Sequence, residues 1–196
     1  MTVPIKIESL ENDIIECSKH LDYLKKTSIL GKELNEFIND NNFDKKALLD
    51  LDISNAHCVT TISQLEISII LKSLFHSKHE LEQKQILKNG ILIMYESIKS
   101  IDKFNKVLKD YSELNPNLQN EFKAYRTEIK QFKGDVSFDR KIKNIRNNIA
   151  GHINTDFVEY SKFIDSIEIE KTMNTLIAYR FIINRLKDYL FKCLIL

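Results

Sequence analysis

The sequence predicts an all-α fold, an up-and-down bundle of roughly five to seven antiparallel helices. The 196 residues include only 4 glycines and 2 prolines, whereas sheets need turn residues at short intervals. Apolar residues recur at helical spacing along most of the chain. No internal repeat or low-complexity segment is visible, and the chain is long enough to bury a core without disulfides or metals. The expected molecule is therefore a helical bundle with mostly short connections.

The N-terminal quarter predicts a separate helical region. A first amphipathic helix is expected to start after Ser9, and Gly31 is expected to interrupt it. The polar cluster at 39–44 predicts a turn, and the four residues at 52–55 resemble a helix N-cap. We therefore divide the chain into an N-terminal extension or subdomain, 1–52, and a bundle domain, 53–196. The helices predicted here are 10–26, a second piece to 37, 45–51 and 56–75.

Caps and turn residues bound the later helices. Asn115 and Pro116 form a cap with proline in the first turn, while Gly134 and Gly151 mark helix ends. The last helix is apolar on more than one face, which is typical of a helix that is central in a bundle or pairs with a second chain. We favour a homodimer. The helices predicted in this half are 80–111, 116–132, 137–150, 157–164 and 168–194.

Composition excludes several classes of protein. The formal net charge is +1, so no global field attracts nucleic acid, although a basic excess lies within 121–146. Such a local excess is a weak indication of a polyanion partner and is more often a solvated helix face. The three cysteines are far apart and form no C-x-x-C pair, which predicts reduced thiols and no zinc site. No signal peptide and no uninterrupted apolar run of bilayer length is present, so we expect a cytoplasmic protein without a membrane span.

The predicted helix 137–150 places an apolar stripe beside polar residues. Its apolar residues fall in one stripe, which we expect to dock on the core: Phe138, Ile142, Ile145 and Ile149. Arg146 and Asn148 lie on opposite flanks of that stripe. Gly151 ends the helix, so His152 can turn back towards the Arg146 side.

The seven residues Arg146-Asn147-Asn148-Ile149-Ala150-Gly151-His152 resemble the signature of HEPN domains. In that signature an arginine and a following polar residue precede a histidine by a few positions. The resemblance covers the motif and its helical setting. It implies an all-α bundle that commonly dimerises. Many HEPN domains are metal-independent endoribonucleases of toxin–antitoxin, abortive-infection and CRISPR-linked systems, and others are inactive RNA-binding or scaffolding modules.

The residue types suit metal-free RNA cleavage, in which the 2′-OH attacks the adjacent phosphorus. His152 is suited to proton transfer near neutral pH, and Arg146 to charge stabilisation on the transition state. Asn147 completes the predicted catalytic set, because it or Asn148 can orient the phosphate or the histidine. Neither a cofactor nor a metal is expected. The residues expected to contact RNA are Asn148, Lys143, Arg140 and Lys141.

Two other functions stay open. A catalytically inactive HEPN-like module would bind RNA or a protein, and an unrelated helical dimer would act as a scaffold. In the leading hypothesis the chain is a toxin or phage-defence effector whose partners are RNA, a second copy of itself, and an antitoxin or other protein. In the ordinary structural interpretation Arg146 caps carbonyl groups and His152 sits at a helix C-terminus. The pairs His76 with His79, and His57 with Cys58, are expected to be neither metal sites nor catalytic.

Overall fold

The computed structural model describes residues 5–38, 45–114, 116–143, 145 and 157–195. Within these ranges all regular structure is helical, which confirms the predicted all-α class. A single 3-10 turn (Pro116–Leu118) and a π-helical turn (Phe138–Ile142) accompany the α-helices. The described α-helices are α1 (Ile7–Ile38), α2 (Lys45–His76), α3 (Glu80–Asp102), α4 (Asn105–Leu114), α5 (Gln119–Asp135), α6 (Phe157–Asp165) and α7 (Ile169–Ile195).

Two long helices, α2 and α7, form the centre of the bundle. Helix α2 packs against α1, α3 and α7, while α7 packs against α2, α3 and α5. Helix α6 lies on α3, and α4 contacts α2 and α5. The largest fully buried side chains of the core come mainly from α2, α3 and α7, including Leu71, Leu87, Met94, Leu176 and Tyr189.

The central position of α7 explains its apolar character. Tyr179, Ile183, Leu186 and Leu190 are all buried, and α7 has helical neighbours on three sides. The bundle itself therefore covers most of the apolar surface of α7, although Phe181 and Phe191 remain exposed, at 42% and 51%. The homodimer stays a prediction.

The N-terminal helices are longer than the sequence predicted. Helix α1 continues through Gly31, and α2 runs without a break from Lys45, so the N-cap predicted at 52–55 is wrong. Ile53 and Ala56 are buried and continue the apolar stripe of α2 across that point. The boundary predicted between residues 52 and 53 falls inside this continuous helix. The turn predicted at 39–44 lies outside the described residues.

The helix predicted for 80–111 is divided into α3 and α4. Two short-range hydrogen bonds mark the break: the Lys103 amide donates to the Ser100 carbonyl, and the Phe104 amide donates to the Ile101 carbonyl at 2.9 Å. Asp102 stabilises the break from both sides. It accepts a hydrogen bond from the Asn105 side chain at 3.1 Å, and its other oxygen pairs with Lys133 of α5 at 2.6 Å. The break therefore depends on a contact with a distant part of the chain.

A buried ion pair joins three helices. The Arg180 guanidinium of α7 is 4% exposed and pairs with the Asp13 carboxylate of α1, with Nε donating at 2.7 Å. The same guanidinium donates to the Ser9 hydroxyl at 3.2 Å. Ser68 of α2 donates to the Asp13 carboxylate, also at 3.2 Å. These contacts dock α1 on both central helices.

One described stretch, Leu51–His76 of α2, is long and apolar enough to cross a membrane by length and composition alone, with mean hydropathy 1.3. The core helix of a soluble bundle meets the same criterion, so a single such helix is weak evidence for a membrane span. Helix α2 also buries polar side chains, Thr60, Thr61 and Gln64, among neighbouring helices. These features support its role as a core helix of the bundle.

Candidate functional site

The residues proposed as catalytic lie outside the described part of the chain. This applies to Arg146, Asn147, Asn148 and His152, and also to the side chain of Lys141. The structure describes the flanks of the motif: the π-helical turn and Ile145 before it, and α6 after it.

The apolar stripe that precedes the motif packs into the core, as predicted. Phe138 and Ile142 are buried, and the half-buried Ile145 packs against the same core. Arg140 and Lys143 are exposed, as expected for residues that contact a soluble polyanion. The fourth member of the stripe, Ile149, lies outside the described residues. The chain thus reaches Arg146 directly after a segment that is held by the core.

The helix predicted from Ser137 begins instead with the π-helical turn. Ser137 has φ 50° and ψ 49°, a left-handed conformation that costs a non-glycine residue about 1–2 kcal/mol. Its amide donates to the Gly134 carbonyl at 3.0 Å, and its carbonyl accepts from the Arg140 amide at 3.1 Å. Single π-helical turns occur frequently at functional sites. The local backbone here is therefore unusual just before the motif.

Aromatic and cationic contacts hold the π-helical turn in place. The ring of Phe138 stacks on Tyr95 of α3 with ring centroids 5.3 Å apart and an interplanar angle of 16°. The Lys133 ammonium lies 5.6 Å from the centroid of the Phe138 ring while it pairs with Asp102. Tyr95 therefore positions the turn. Glu96, the neighbouring acid, is exposed.

The element after the motif is anchored on the same helix, α3. The Tyr160 hydroxyl of α6 hydrogen bonds to the Gln85 side chain at 3.0 Å, and the Lys88 ammonium lies 5.6 Å from the Tyr160 ring centroid. Gln85 and Tyr95 are ten residues apart, so the two anchoring points are separated by about 15 Å along α3. The motif segment is therefore bounded at both ends by elements fixed to one helix.

A cavity of about 390 Å³ lies between these two flanks. Ile142 and Ile145 line it from the side that leads into the motif, and Phe163 and Ile167 line it from the side of α6. Met94 of α3 also contributes, and the polar rim includes Asp135, Glu168, Lys171 and Thr172. The two flanks of the motif therefore share one concave surface with both apolar and polar walls.

The structure also describes the other histidine and cysteine candidates. No group of three or more metal-ligating side chains occurs in the part of the chain that the structure describes. His76 is the last residue of α2 and His79 precedes α3, so the two exposed histidines do not share a helix. Burial raises the pKa of Cys17 and of Cys193 to about 11, which disfavours the reactive thiolate. All three cysteines are free, as predicted.

Sequence reasoning missed one polar contact in the core. The fully buried His57 of α2 meets His20 of α1 with ring centroids 4.5 Å apart, in an edge-to-face arrangement. Neither ring nitrogen of His57 has a hydrogen-bond partner among the described residues. Burial, with His20 and Lys187 nearby, lowers the pKa of His57 to about 4. The one sequence signal for this contact is the place of His57 on the face of α2 that packs against α1.

No protein-family model matches the chain, and no curated protein or solved structure matches it.

Proposed function

We propose that the chain is a metal-independent endoribonuclease of the HEPN type that acts as a toxin or phage-defence effector. The observation that carries the proposal is the motif Arg146-Asn147-Asn148-Ile149-Ala150-Gly151-His152 in an all-helical chain. Its first residue directly follows a segment packed into the core. In this proposal His152, Arg146 and Asn147 are the catalytic residues, and RNA is the substrate.

The proposed reaction uses the substrate's own nucleophile. A bond forms between the RNA 2′-oxygen and the adjacent phosphorus, and the bond from phosphorus to the 5′-oxygen of the next nucleotide breaks. His152 transfers a proton in this exchange, and the leaving 5′-oxygen ends as a hydroxyl. The Arg146 guanidinium stabilises the charge on the phosphorane-like transition state. The products are a 2′,3′-cyclic phosphate and a 5′-hydroxyl.

The flanks of the motif support this proposal through preorganisation. A catalytic group must be held close to its productive geometry, and side chains on rigid elements achieve this best. Tyr95 fixes the π-helical turn before the motif, and Gln85 and Lys88 fix α6 after it. The left-handed Ser137 adds local strain of the kind that clusters at functional sites.

A cleavage assay tests the proposal. Wild-type protein should cut single-stranded RNA in EDTA and leave the cyclic phosphate, which end-group analysis detects. His152→Ala should lower the rate by about 10²–10⁴-fold, because it removes the proton-transfer group. Arg146→Ala should lower it by a similar order, about 10²–10³-fold, because it removes transition-state charge stabilisation. Arg146→Lys should restore activity only partly, because an ammonium lacks the planar fork.

The matched control is His79→Ala, since His79 is an exposed histidine with no side-chain cap hydrogen bond. This variant should retain wild-type activity, and circular dichroism should show all variants folded. Cleavage that survives in both His152→Ala and Arg146→Ala would refute the assignment of the site. Cleavage that requires magnesium would refute the mechanism.

The alternative is an HEPN-like module that binds RNA or a protein without cleaving it. The exposed cations Arg140 and Lys143 favour this function as much as they favour catalysis. Wild-type protein that binds RNA but cuts no substrate would support the inactive module. An unrelated helical scaffold would neither bind nor cut RNA.

A further inference from the structure

Helix α5 has its charges sorted onto two faces. Four cations occur at positions i, i+3, i+7 and i+10, which places them within a stripe about 80° wide. They are Lys123, Arg126, Lys130 and Lys133. The acids Glu121 and Glu128 fall roughly 140–160° away from the first cation, on the other side of the helix. The basic excess of this region is therefore concentrated on one face.

Helix α7 neutralises the acidic face. The Glu121 carboxylate pairs with the Lys192 ammonium at 2.7 Å and raises the pKa of Lys192. Glu128 forms an ion pair with Arg185. Glu121 and Glu128 are therefore both occupied by contacts between helices. They are not available to the cations of their own helix.

Three of the four cations remain exposed. Lys123, Arg126 and Lys130 are exposed and form no ion pair with any residue that the structure describes. We call these three residues the α5 cation row. Lys133 is different, because it is half-buried and bound to Asp102 at 2.6 Å. It therefore acts as a structural contact and is excluded from the row.

The α5 cation row ends in a cleft at the base of the π-helical turn. Arg126 and Lys130 line this cleft of about 370 Å³ together with Lys133, Gly134, Ile129 and one carboxylate, Asp139. The exposed Arg140 follows Asp139 directly in the chain. The row therefore leads along α5 towards the π-helical turn.

We propose that the α5 cation row binds the phosphate backbone of single-stranded RNA and guides it towards the π-helical turn that precedes the motif in the chain. The direction of this path rests on the proposed function, whereas the binding does not. The row extends about 10 Å along the helix, which is long enough for its cations to contact more than one phosphate of a strand. Because these contacts reach only the backbone, binding tolerates different sequences.

The geometry favours RNA over an anionic membrane. Membrane-surface helices place large apolar side chains beside their cations. Among the described residues, none of the exposed large apolar side chains belongs to α5. The apolar face of this helix, with Tyr125, Ile129 and Phe132, is buried in the bundle. A single line of cations also suits one strand better than a duplex.

The test measures binding separately from cleavage. Its background is the His152→Ala protein, and the probe is a fluorescent 20-nucleotide single-stranded RNA of mixed sequence. Replacement of the row by Lys123→Gln, Arg126→Gln and Lys130→Gln should weaken binding by at least about tenfold at low salt. It should also reduce the slope of log K against log salt by about 2, since each lost contact to a single strand contributes about 0.7.

The matched control removes three other exposed lysines by Lys19→Gln, Lys25→Gln and Lys26→Gln on α1. Each triple variant lowers the formal net charge from +1 to −2, a change of three units. The α1 variant should bind RNA almost as its parent does. An equal loss in both variants would show a net-charge effect only and would overturn the proposal.

Further outcomes test RNA binding by the α5 cation row independently of the proposed nuclease activity. If the row variant binds RNA with unchanged affinity and salt slope, the α5 cation row is not the binding site, even if the wild type cleaves RNA. Loss of binding in the row variant supports the row, even if the wild type never cleaves. Stronger binding to phosphatidylserine vesicles or to duplex RNA than to the single strand would also overturn it. So would a parent protein that binds no RNA.

Discussion

At the scale of the residue, His57 is the least satisfied polar side chain described in the core. It is fully buried, and its neighbours from the other helices are His20 of α1 and Lys187 of α7. Both neighbours oppose a positive charge on His57, as does burial. The imidazole is therefore neutral in the folded protein under ordinary conditions, and its unfolded form accepts a proton more readily.

His57 should make the protein less stable in weak acid. Its pKa is lowered to about 4 in the folded state from an unfolded value near 6.5, so the unfolded chain binds more protons between these limits. Stability is complete above the unfolded pKa and is lost as pH falls towards the folded pKa. Between pH 7.5 and 5.0 the free energy of unfolding should fall by about 2 kcal/mol on account of this group. Urea denaturation at both pH values measures it.

The variant His57→Leu isolates the effect of this histidine from that of the acids. It should be about 1 kcal/mol more stable than wild type at pH 7.5, because it removes an unpartnered buried polar group. It should also lose less stability on acidification. His79→Leu, at an exposed position, is the control and should keep the wild-type pH dependence. Identical pH profiles for wild type and His57→Leu would contradict the argument.

At the scale of the element, Gly90 allows α3 to approach both central helices. A Cβ at this position would lie 2.5 Å from Cδ1 of Leu176 and 3.0 Å from Cγ2 of Ile70. Leu176 is fully buried, so its side chain has little room to move. Gly134 offers a comparison, because a Cβ there would meet nothing within 4 Å.

The two glycines should respond to alanine with opposite signs. Gly90→Ala should lower the free energy of unfolding by about 1 kcal/mol, since overpacking of about 1–3 kcal/mol exceeds the gain of about 1 kcal/mol in helix propensity. Gly134→Ala should raise it by about 0.5 kcal/mol near the helix end. Chemical denaturation measures both. Leu176→Val should show favourable coupling with Gly90→Ala in a double-mutant cycle, and additive effects would argue against the clash.

The helices were largely predictable from apolar periodicity, but their breaks were not. The sequence predicted a break at 52–55 from cap-forming residues, yet Ile53 and Ala56 keep the buried stripe continuous. It predicted no break after Asp102, because neither glycine nor proline occurs there. That break is stabilised by the ion pair with Lys133, 31 residues later. Local propensity cannot indicate such a distant partner.

At the scale of the whole molecule, the Asp13–Arg180 ion pair attaches α1 to the rest of the bundle. Asp13→Ala would leave the buried guanidinium without its carboxylate, and we expect a loss of about 3–5 kcal/mol in the free energy of unfolding. The double variant Asp13→Leu with Arg180→Met should lose considerably less, because no uncompensated charge remains. Denaturant titration compares the variants.

The control is Glu11→Ala, which removes a second ion pair between α1 and the bundle. Glu11 of α1 pairs with Lys72 of α2 at 2.8 Å, but both side chains are well exposed, 45% and 36%. Glu11→Ala should therefore change stability very little, because solvent screens exposed pairs. An equal loss for Asp13→Ala and Glu11→Ala would show that burial is not what makes the Asp13 pair important.

Only part of the candidate site could be predicted from the sequence, because the rest depends on contacts between helices that are distant in the chain. Packing of Phe138, Ile142 and Ile145 followed from their spacing, and the structure confirms it. The α5 cation row did not follow, since the sequence shows Glu121 and Glu128 among the same cations. Their pairing with Lys192 and Arg185 becomes visible only when α7 lies beside α5.

The central position of α7 has a consequence for synthesis. Helices α2, α3 and α5 all precede α7 in the chain, yet each packs part of its apolar surface on it. Translation is slow compared with helix formation, so a nascent chain that has emerged only as far as α6 presents these surfaces unpaired. The ribosome-bound chain is therefore expected to need protection from aggregation until α7 emerges and covers these surfaces.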